Sequence, residues 1–175
     1  MQTVRHFDEN IAVQVARVPS DTAKVLGLAS YFGSLFIVGS LAALVAYLLW
    51  PVHNQFNVTD KYLDSSGLLV LGLIPLAHII KFFTRRQRPD TIYVRKMRFD
   101  HFSFPSGHAY TSFLVYGYLA YLTGGWLAYL LAAGLIFIIG LSRVSLGAHF
   151  PSDVLGGWLL GAIALAVVIG YINHI

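Results

Sequence analysis

The sequence predicts an all-α integral membrane protein, a helical bundle of five transmembrane helices preceded by an N-terminal amphipathic interfacial segment. Three observations predict it. Of the 175 residues, 57% are hydrophobic and 11% are charged, whereas soluble domains carry about 25% charged residues. The apolar residues gather into five long runs, which leave too little polar surface for a water-soluble globule. The polar chemistry is confined to short segments between those runs. The length fits a single domain over 1–175.

Residues 1–27 mix Arg5, Asp8, Glu9, Arg17, Asp21 and Lys24 with Ile11, Val13, Val15 and Val18. The charges exclude a span, and a segment lying on the membrane surface fits better. No apolar stretch follows Met1 closely enough to read as a cleavable signal. Residues 28–50 hold no charge and exceed the ~20 residues that a bilayer requires. The second run, 67–83, is apolar apart from His78 and Lys81, and Pro75 should break or kink it. The third, 109–122, is shorter and rich in Tyr, Ser and Thr. Thr123-Gly124-Gly125 then makes a tight turn into the fourth run, 126–141, and the fifth, 154–172, closes the chain. The second, third and fourth runs are short for spans, so flanking residues should extend their helices. Gly157 and Gly161 form a small-xxx-small pair that permits close helix approach. Such glycines pack helices within or between chains, so they leave the oligomeric state open.

With five spans, the segments 81–108 and 142–153 fall on one face of the membrane. They carry three clusters: Lys81-x6-Arg88-Pro89, then Pro105-Ser106-Gly107-His108, then Ser142-Arg143-x5-His149-x3-Asp153. Together these supply two histidines, one carboxylate and three cations, a set suited to gripping a phosphate and attacking it with an imidazole. Arg88 offers a planar fork for phosphate oxygens, and Pro89 fixes the backbone that aims it. Ser106 is a good helix N-cap; equally, a helix start with Gly107 lets backbone N–H groups approach a phosphate oxygen. His149 and Asp153 are four apart and share a helix face. A carboxylate on Nδ1–H would fix the tautomer and leave Nε2 as nucleophile. A metal site is the rival reading for His108, His149 and Asp153, but Lys81, Arg88 and Arg143 would repel a cation and suit an anion. With no cysteine, a disulfide framework and a thiolate zinc site are excluded. No metal and no cofactor is therefore expected. Arg85, Arg86, Arg95, Lys96 and Arg98 read as a solvated or headgroup-facing basic rim. The bilayer and a phosphate-bearing ligand are the expected partners, not nucleic acid. His78 and His101 read as structural.

The three clusters resemble the type 2 phosphatidic acid phosphatase family, whose pattern is K-x6-RP, PSGH and SR-x5-H-x3-D. All three stand here in order without a departure. The family shares its site with vanadium haloperoxidases and bacterial acid phosphatases, and its membrane members often have six spans where this chain shows five. The resemblance implies that His149 attacks phosphorus to form a phosphohistidine, that Asp153 orients it, and that His108 protonates the leaving oxygen and then deprotonates the attacking water. Lys81, Arg88, Ser106, Gly107 and Arg143 would hold the phosphoryl oxygens. The implied activity is hydrolysis of a lipid phosphate: phosphatidate, phosphatidylglycerophosphate, undecaprenyl diphosphate or lipid A 1-phosphate. A lipid phosphotransferase with the same site, and a non-catalytic phospholipid-binding or transport protein, are the alternatives. Eleven of the twelve Lys and Arg lie on the motif side. The positive-inside rule would make that side cytoplasmic, but several of these cations are accounted for by substrate binding. Bacterial relatives that recycle envelope lipids imply the opposite: an inner (plasma) membrane protein whose site faces the periplasm or exterior.

Overall fold

The computed structural model describes residues 60–95 and 101–174, together with Asp8 and Leu28. Nearly all of the expected first span, 28–50, and of the expected interfacial segment lie outside these residues. What is described is all helical: α1 Asp60–Leu73, α2 Leu76–Thr84, α3 Ile92–Arg95, α4 Gly107–Thr123, α5 Trp126–Ser145 and α6 Pro151–His174. Among the described residues there is no strand, only an isolated antiparallel bridge between Gln87 and Phe102. Among the described residues, three stretches are long and apolar enough to cross a membrane: Ser66–Thr84, Trp126–Ser145 and Pro151–His174.

Pro75 separates α1 from α2, as its missing N–H requires. The break disturbs the carbonyl ladder, and the Tyr110 hydroxyl donates to Leu73 O at 2.6 Å. The helices α4, α5 and α6 each run past the apolar stretch that announced them, because the polar residues at their ends continue the helix before capping it. Gly124 and Gly125, with φ of 65° and 84°, make the expected turn between α4 and α5. At the far end of α5 the chain reverses at Gly147, φ 63°. The Ala148 N–H there returns to Arg143 O at 3.0 Å. A residue with a Cβ would be strained at that angle.

The central helix is α4. Tyr110, Leu114, Val115 and Tyr118 are buried against Val70, Ala77, Ala164 and Val168. Opposite them, α6 presents Asp153, Val154, Gly157, Gly161, Ala164 and Val168 inward. Its Leu155, Leu159, Ile163 and Val167, at intervals of four, are exposed. A helix with small residues inward and large apolar residues outward fits a lipid environment, where packing rather than water exclusion holds helices together. The reading of Gly157 and Gly161 as packing residues holds. A Cβ at Gly157 would lie 2.6 Å from Ser106 O, and one at Gly161 would lie 2.9 Å from Tyr110 O.

Candidate active site

The site forms where the ends of α2 and α5 meet the starts of α4 and α6. Two connecting segments close it. In the first, residues 85–91, the chain leaves α2 through Arg85 in a left-handed conformation (φ 47°). It then runs antiparallel to the second, 101–106: Ser103 N donates to Arg86 O at 2.7 Å, and Thr84 Oγ1 donates to Phe104 O at 2.7 Å. The first segment also docks on the α5–α6 turn, with Thr91 Oγ1 donating to Gly147 O at 3.0 Å and Arg88 Nη1 to Ala148 O at 2.7 Å. The second ties directly to α6, where Ser106 N donates to Asp153 O at 2.9 Å. All three sequence clusters are thereby drawn to one place.

His149 is buried, at 2% exposure. Arg88 Nη1 lies 3.1 Å from its Nε2. A guanidinium can only donate, so this contact makes Nε2 the acceptor and puts the ring proton on Nδ1. That proton faces Asp153 Oδ2 at 3.6 Å and Ser103 Oγ at 3.5 Å, contacts longer than good hydrogen bonds. The expected His149–Asp153 pairing is present, but it is looser than a simple dyad, because Asp153 is shared. Its Oδ2 accepts from Ser103 Oγ in a very short contact and from Phe150 N at 2.9 Å. Its Oδ1 accepts from Arg86 Nη1 at 2.7 Å.

Ser106 stands at the N-cap of α4, yet its side chain makes no capping hydrogen bond. The hydroxyl is fully buried and has no partner among the described residues. A buried orphan polar atom calls for an explanation, and an oxygen arriving at the helix start would supply one. Gly107 opens α4, whose first-turn N–H groups lack intrahelical acceptors. His108 follows. Burial, then the positive charge of Arg143, with His149, Lys81 and Arg88 behind it, holds the His108 imidazole well below its usual 6.5. The same interactions bring His108 within electrostatic reach of all four. Lys81 and Arg143 are themselves buried, at 3% and 2% exposure. Arg143 stacks over Tyr93 at 5.6 Å and donates to its hydroxyl at 3.4 Å. Ser142 is spent on its own helix, donating to Ile139 O at 2.6 Å.

Some residues differ from their sequence reading. Arg86 is not a solvated rim cation: it sits between Asp153 and Asp8, 2.6 Å from the latter, with Phe150 beneath its guanidinium at 4.7 Å. Arg85 and Arg95 do lie at the surface, Arg95 paired with Asp90, while Lys96 and Arg98 lie outside the described residues. Ser103, Tyr93 and Asp8 belong to the site and no motif named them. A signal for Arg86 was available, since residues 86 and 88 of an extended segment point to the same side. His101 and His78 are exposed; His78 lies beside Gly107.

Residues 64–174 match the model of the PAP2 superfamily. The chain belongs to that superfamily. This PAP2 chain is 35% identical over 162 residues to decaprenylphosphoryl-5-phosphoribose phosphatase of Mycobacterium tuberculosis, covering 90% of the chain and 85% of that protein. It is 36% identical over 114 residues to phosphatidylglycerophosphatase B of Bacillus subtilis, a match spanning 59% of the chain and only 55% of the relative. Among solved structures, the transmembrane PAP2-type phosphatidylglycerolphosphate phosphatase from Bacillus subtilis superposes with a TM-score of 0.84 at 26% identity, over 100% of this chain and 89% of that one. LpxE of Aquifex aeolicus superposes with a TM-score of 0.72 at 21% identity, over 94% and 96%, and shares the fold. The relatives are phosphatases, and the PAP2 fold of the chain is a membrane fold.

Proposed function

We propose that this chain is a membrane lipid phosphatase that removes phosphate from a lipid monoester or diphosphate through a phosphohistidine on His149, without a metal. The observation that carries this reading is the Arg88 contact to His149 Nε2. It leaves the proton on Nδ1, facing Asp153, and the lone pair on the nitrogen that would attack. When a phosphate enters, Arg88 exchanges its imidazole acceptor for a phosphoryl oxygen and uncovers Nε2. Lys81 and Arg143 supply further charge, and Ser106 Oγ and the N–H groups at Gly107 supply neutral donors. Phosphoryl transfer needs mainly such positioning and neutralisation. Nε2 then bonds to phosphorus as the lipid oxygen leaves with a proton from His108. Water, giving its proton back to His108, releases inorganic phosphate from His149.

The relatives support a ranking of lipids. Similarity over 90% of the chain to a phosphatase of a polyprenyl-linked phosphoribose favours a polyprenyl-linked phosphate, with phosphatidylglycerophosphate next; phosphatidate, undecaprenyl diphosphate and lipid A 1-phosphate complete the panel. A site at helix ends meets such a headgroup while its tail stays in the bilayer. The rest of the reading is one domain over 1–175, with five spans and an N-terminal interfacial segment, in the plasma membrane with the site facing outward. Phosphate release by detergent-purified protein in EDTA, lipid by lipid, tests the chemistry, with His149→Ala as control. Release that survives EDTA and vanishes in the variant is expected. Release that the variant retains would overturn the histidine mechanism. Release only on adding an acceptor would replace hydrolase by transferase.

A further inference from the structure

Behind the nucleophile lies a set of charges that the reaction above does not use. Arg86 spreads its fork over two carboxylates. Nη1 donates to Asp153 Oδ1 at 2.7 Å and to Ser152 Oγ at 2.7 Å, and Nη2 donates to Asp8 Oδ2 at 2.6 Å. Ser152 passes the link on, donating Oγ–H to Asp8 Oδ2 at 2.6 Å and its backbone N–H to Asp8 Oδ1 at 3.1 Å. The Asp8 and Asp153 side chains are 1% and 0% exposed. On the side of Asp153 away from His149, its Oδ1 and both oxygens of Asp8 are thus engaged. On the near side, Ser103 and Phe150 N hold Oδ2 toward the imidazole.

We propose that Arg86, Asp8 and Ser103 form a positioning network for Asp153, in which Asp8 sets how much of the Asp153 charge reaches His149. The proposal rests on the phosphatase reading of the site. Arg86 and Ser103 lock the rotation of the carboxylate, which has no freedom left once each oxygen is bonded. Charge gives Asp8 its part. Arg86 and Asp153 alone would form a neutral pair and leave the His149 imidazolium, as it develops, beside no net charge. With Asp8 the trio carries net −1, the charge that an isolated Asp153 would bring, and Asp153 keeps the rigidity that Arg86 confers. Lysine could not do this. A point charge on a flexible stem cannot bridge two carboxylates and a hydroxyl in fixed directions. The other titratable and charged groups of the site are Arg88, on His149, and His108, with Lys81 and Arg143 in electrostatic reach of it. All are cationic or become so, which is why one retained negative charge matters here.

The test uses the full chain in detergent micelles, with Asp8→Asn, Arg86→Gln, Arg86→Lys and Ser103→Ala checked for monodisperse elution. Arg86→Gln and Arg86→Lys should each lose about 10²-fold in kcat with KM within about threefold, as expected for misplacement without contact to substrate. The pH profile separates positioning from a merely structural role. Arg86→Gln unmasks Asp153, so His149 keeps its proton more firmly and the acid limb of kcat moves to higher pH. Asp8→Asn turns the whole Arg86 charge onto Asp153, so the limb moves to lower pH. Limbs that stay put, or move the same way, overturn the proposal, as does wild-type kcat in both Arg86 variants. A second readout is independent of turnover. In ¹⁵N-histidine-labelled protein, the His149 signals, identified by their loss in His149→Gln, should titrate with the same opposite displacements. If wild type hydrolyses no lipid phosphate, the phosphatase reading fails. The network is then still upheld by opposite displacements and overturned by their absence.

Discussion

Gly157→Ala adds one methyl group and should disable the site from outside it. The new Cβ would lie 2.6 Å from Ser106 O, 2.9 Å from Ala109 Cβ and 3.2 Å from Tyr110 N. The nearest atom is backbone and has no rotamer to change. To regain an ordinary contact of 3.4 Å, Ser106 must retreat by about 0.8 Å from α6. It cannot do so quietly, because its own N–H is bonded to Asp153 O at 2.9 Å and its carbonyl accepts from Tyr110 N at 3.0 Å. The retreat would carry Ser106 Oγ and the first turn of α4, with Gly107 and His108, away from His149. Overpacking of this kind costs about 1–3 kcal/mol, and a shift near 1 Å costs about 10²-fold in rate. The assay is phosphate release at saturating lipid, run beside a thermal unfolding curve in the same detergent. Gly134→Ala is the control: a Cβ there meets nothing within 4 Å. Replacing a mid-helix glycine should leave stability unchanged or raise it by up to about 1 kcal/mol. A Gly157→Ala protein with wild-type kcat and melting temperature would refute the claim that α6 sets the position of the phosphate cradle.

Arg88→Gln keeps a donor but loses the charge and the fork; kcat should fall by about 10²–10³-fold, the usual cost of one donor to a developing phosphoryl charge, and a fall below tenfold would remove Arg88 from the phosphate. In the proposed mechanism His108 must be protonated to act, and burial and then the neighbouring cations hold its pKa well below 6.5. Activity therefore falls as pH rises through that value. Bound phosphate counters the cations, so the falling limb of kcat should lie at higher pH than that of kcat/KM, and coincident limbs would exclude His108 as the acid. Asp90 is exposed, at 77% for its side chain, and the chain has no cysteine. Asp90→Cys should therefore react with an impermeant maleimide on intact spheroplasts; reaction only after lysis would turn the site to the cytoplasm.

The candidate site was legible in sequence because the proposed phosphate chemistry calls for particular residue types at short spacing, and the apolar runs framed them. Lys81, Arg88, Ser106, His108, Arg143, His149 and Asp153 needed no knowledge of tertiary contacts. Helix boundaries were less legible. Hydropathy marks where apolar residues stop, whereas α5 continues through Ser142, Arg143, Val144 and Ser145 until Gly147 turns the chain. Arg86 was misread for a similar reason. Composition sees a cation in a basic cluster, and only the fold brings Asp8, 78 residues away, and Asp153, 67 residues away, to its two nitrogens. Ser103 lies three residues ahead of Ser106 and outside the motif, with nothing local to distinguish it from a loop serine. The N-cap role expected of Ser106 failed in an informative way: the position is right, but the hydroxyl is not used for the cap.

One tension in the site bears on how it selects substrates. Burial, and the three cations that favour an anion, disfavour a proton on His108, the group that delivers one in the proposed mechanism. Without a bound anion, His108 would therefore be in the wrong state for that role at neutral pH. A dianionic phosphate resolves this, since its charge offsets the cations around His108 and raises the affinity of the ring for a proton as it binds. The substrate in effect arms the acid that will cleave it. A ligand with less negative charge, bound by the same donors, would arm it less. On the proposed mechanism, selectivity for a terminal phosphate would arise from the protonation of His108 as well as from fit, and the lipid tail would have no part in that step.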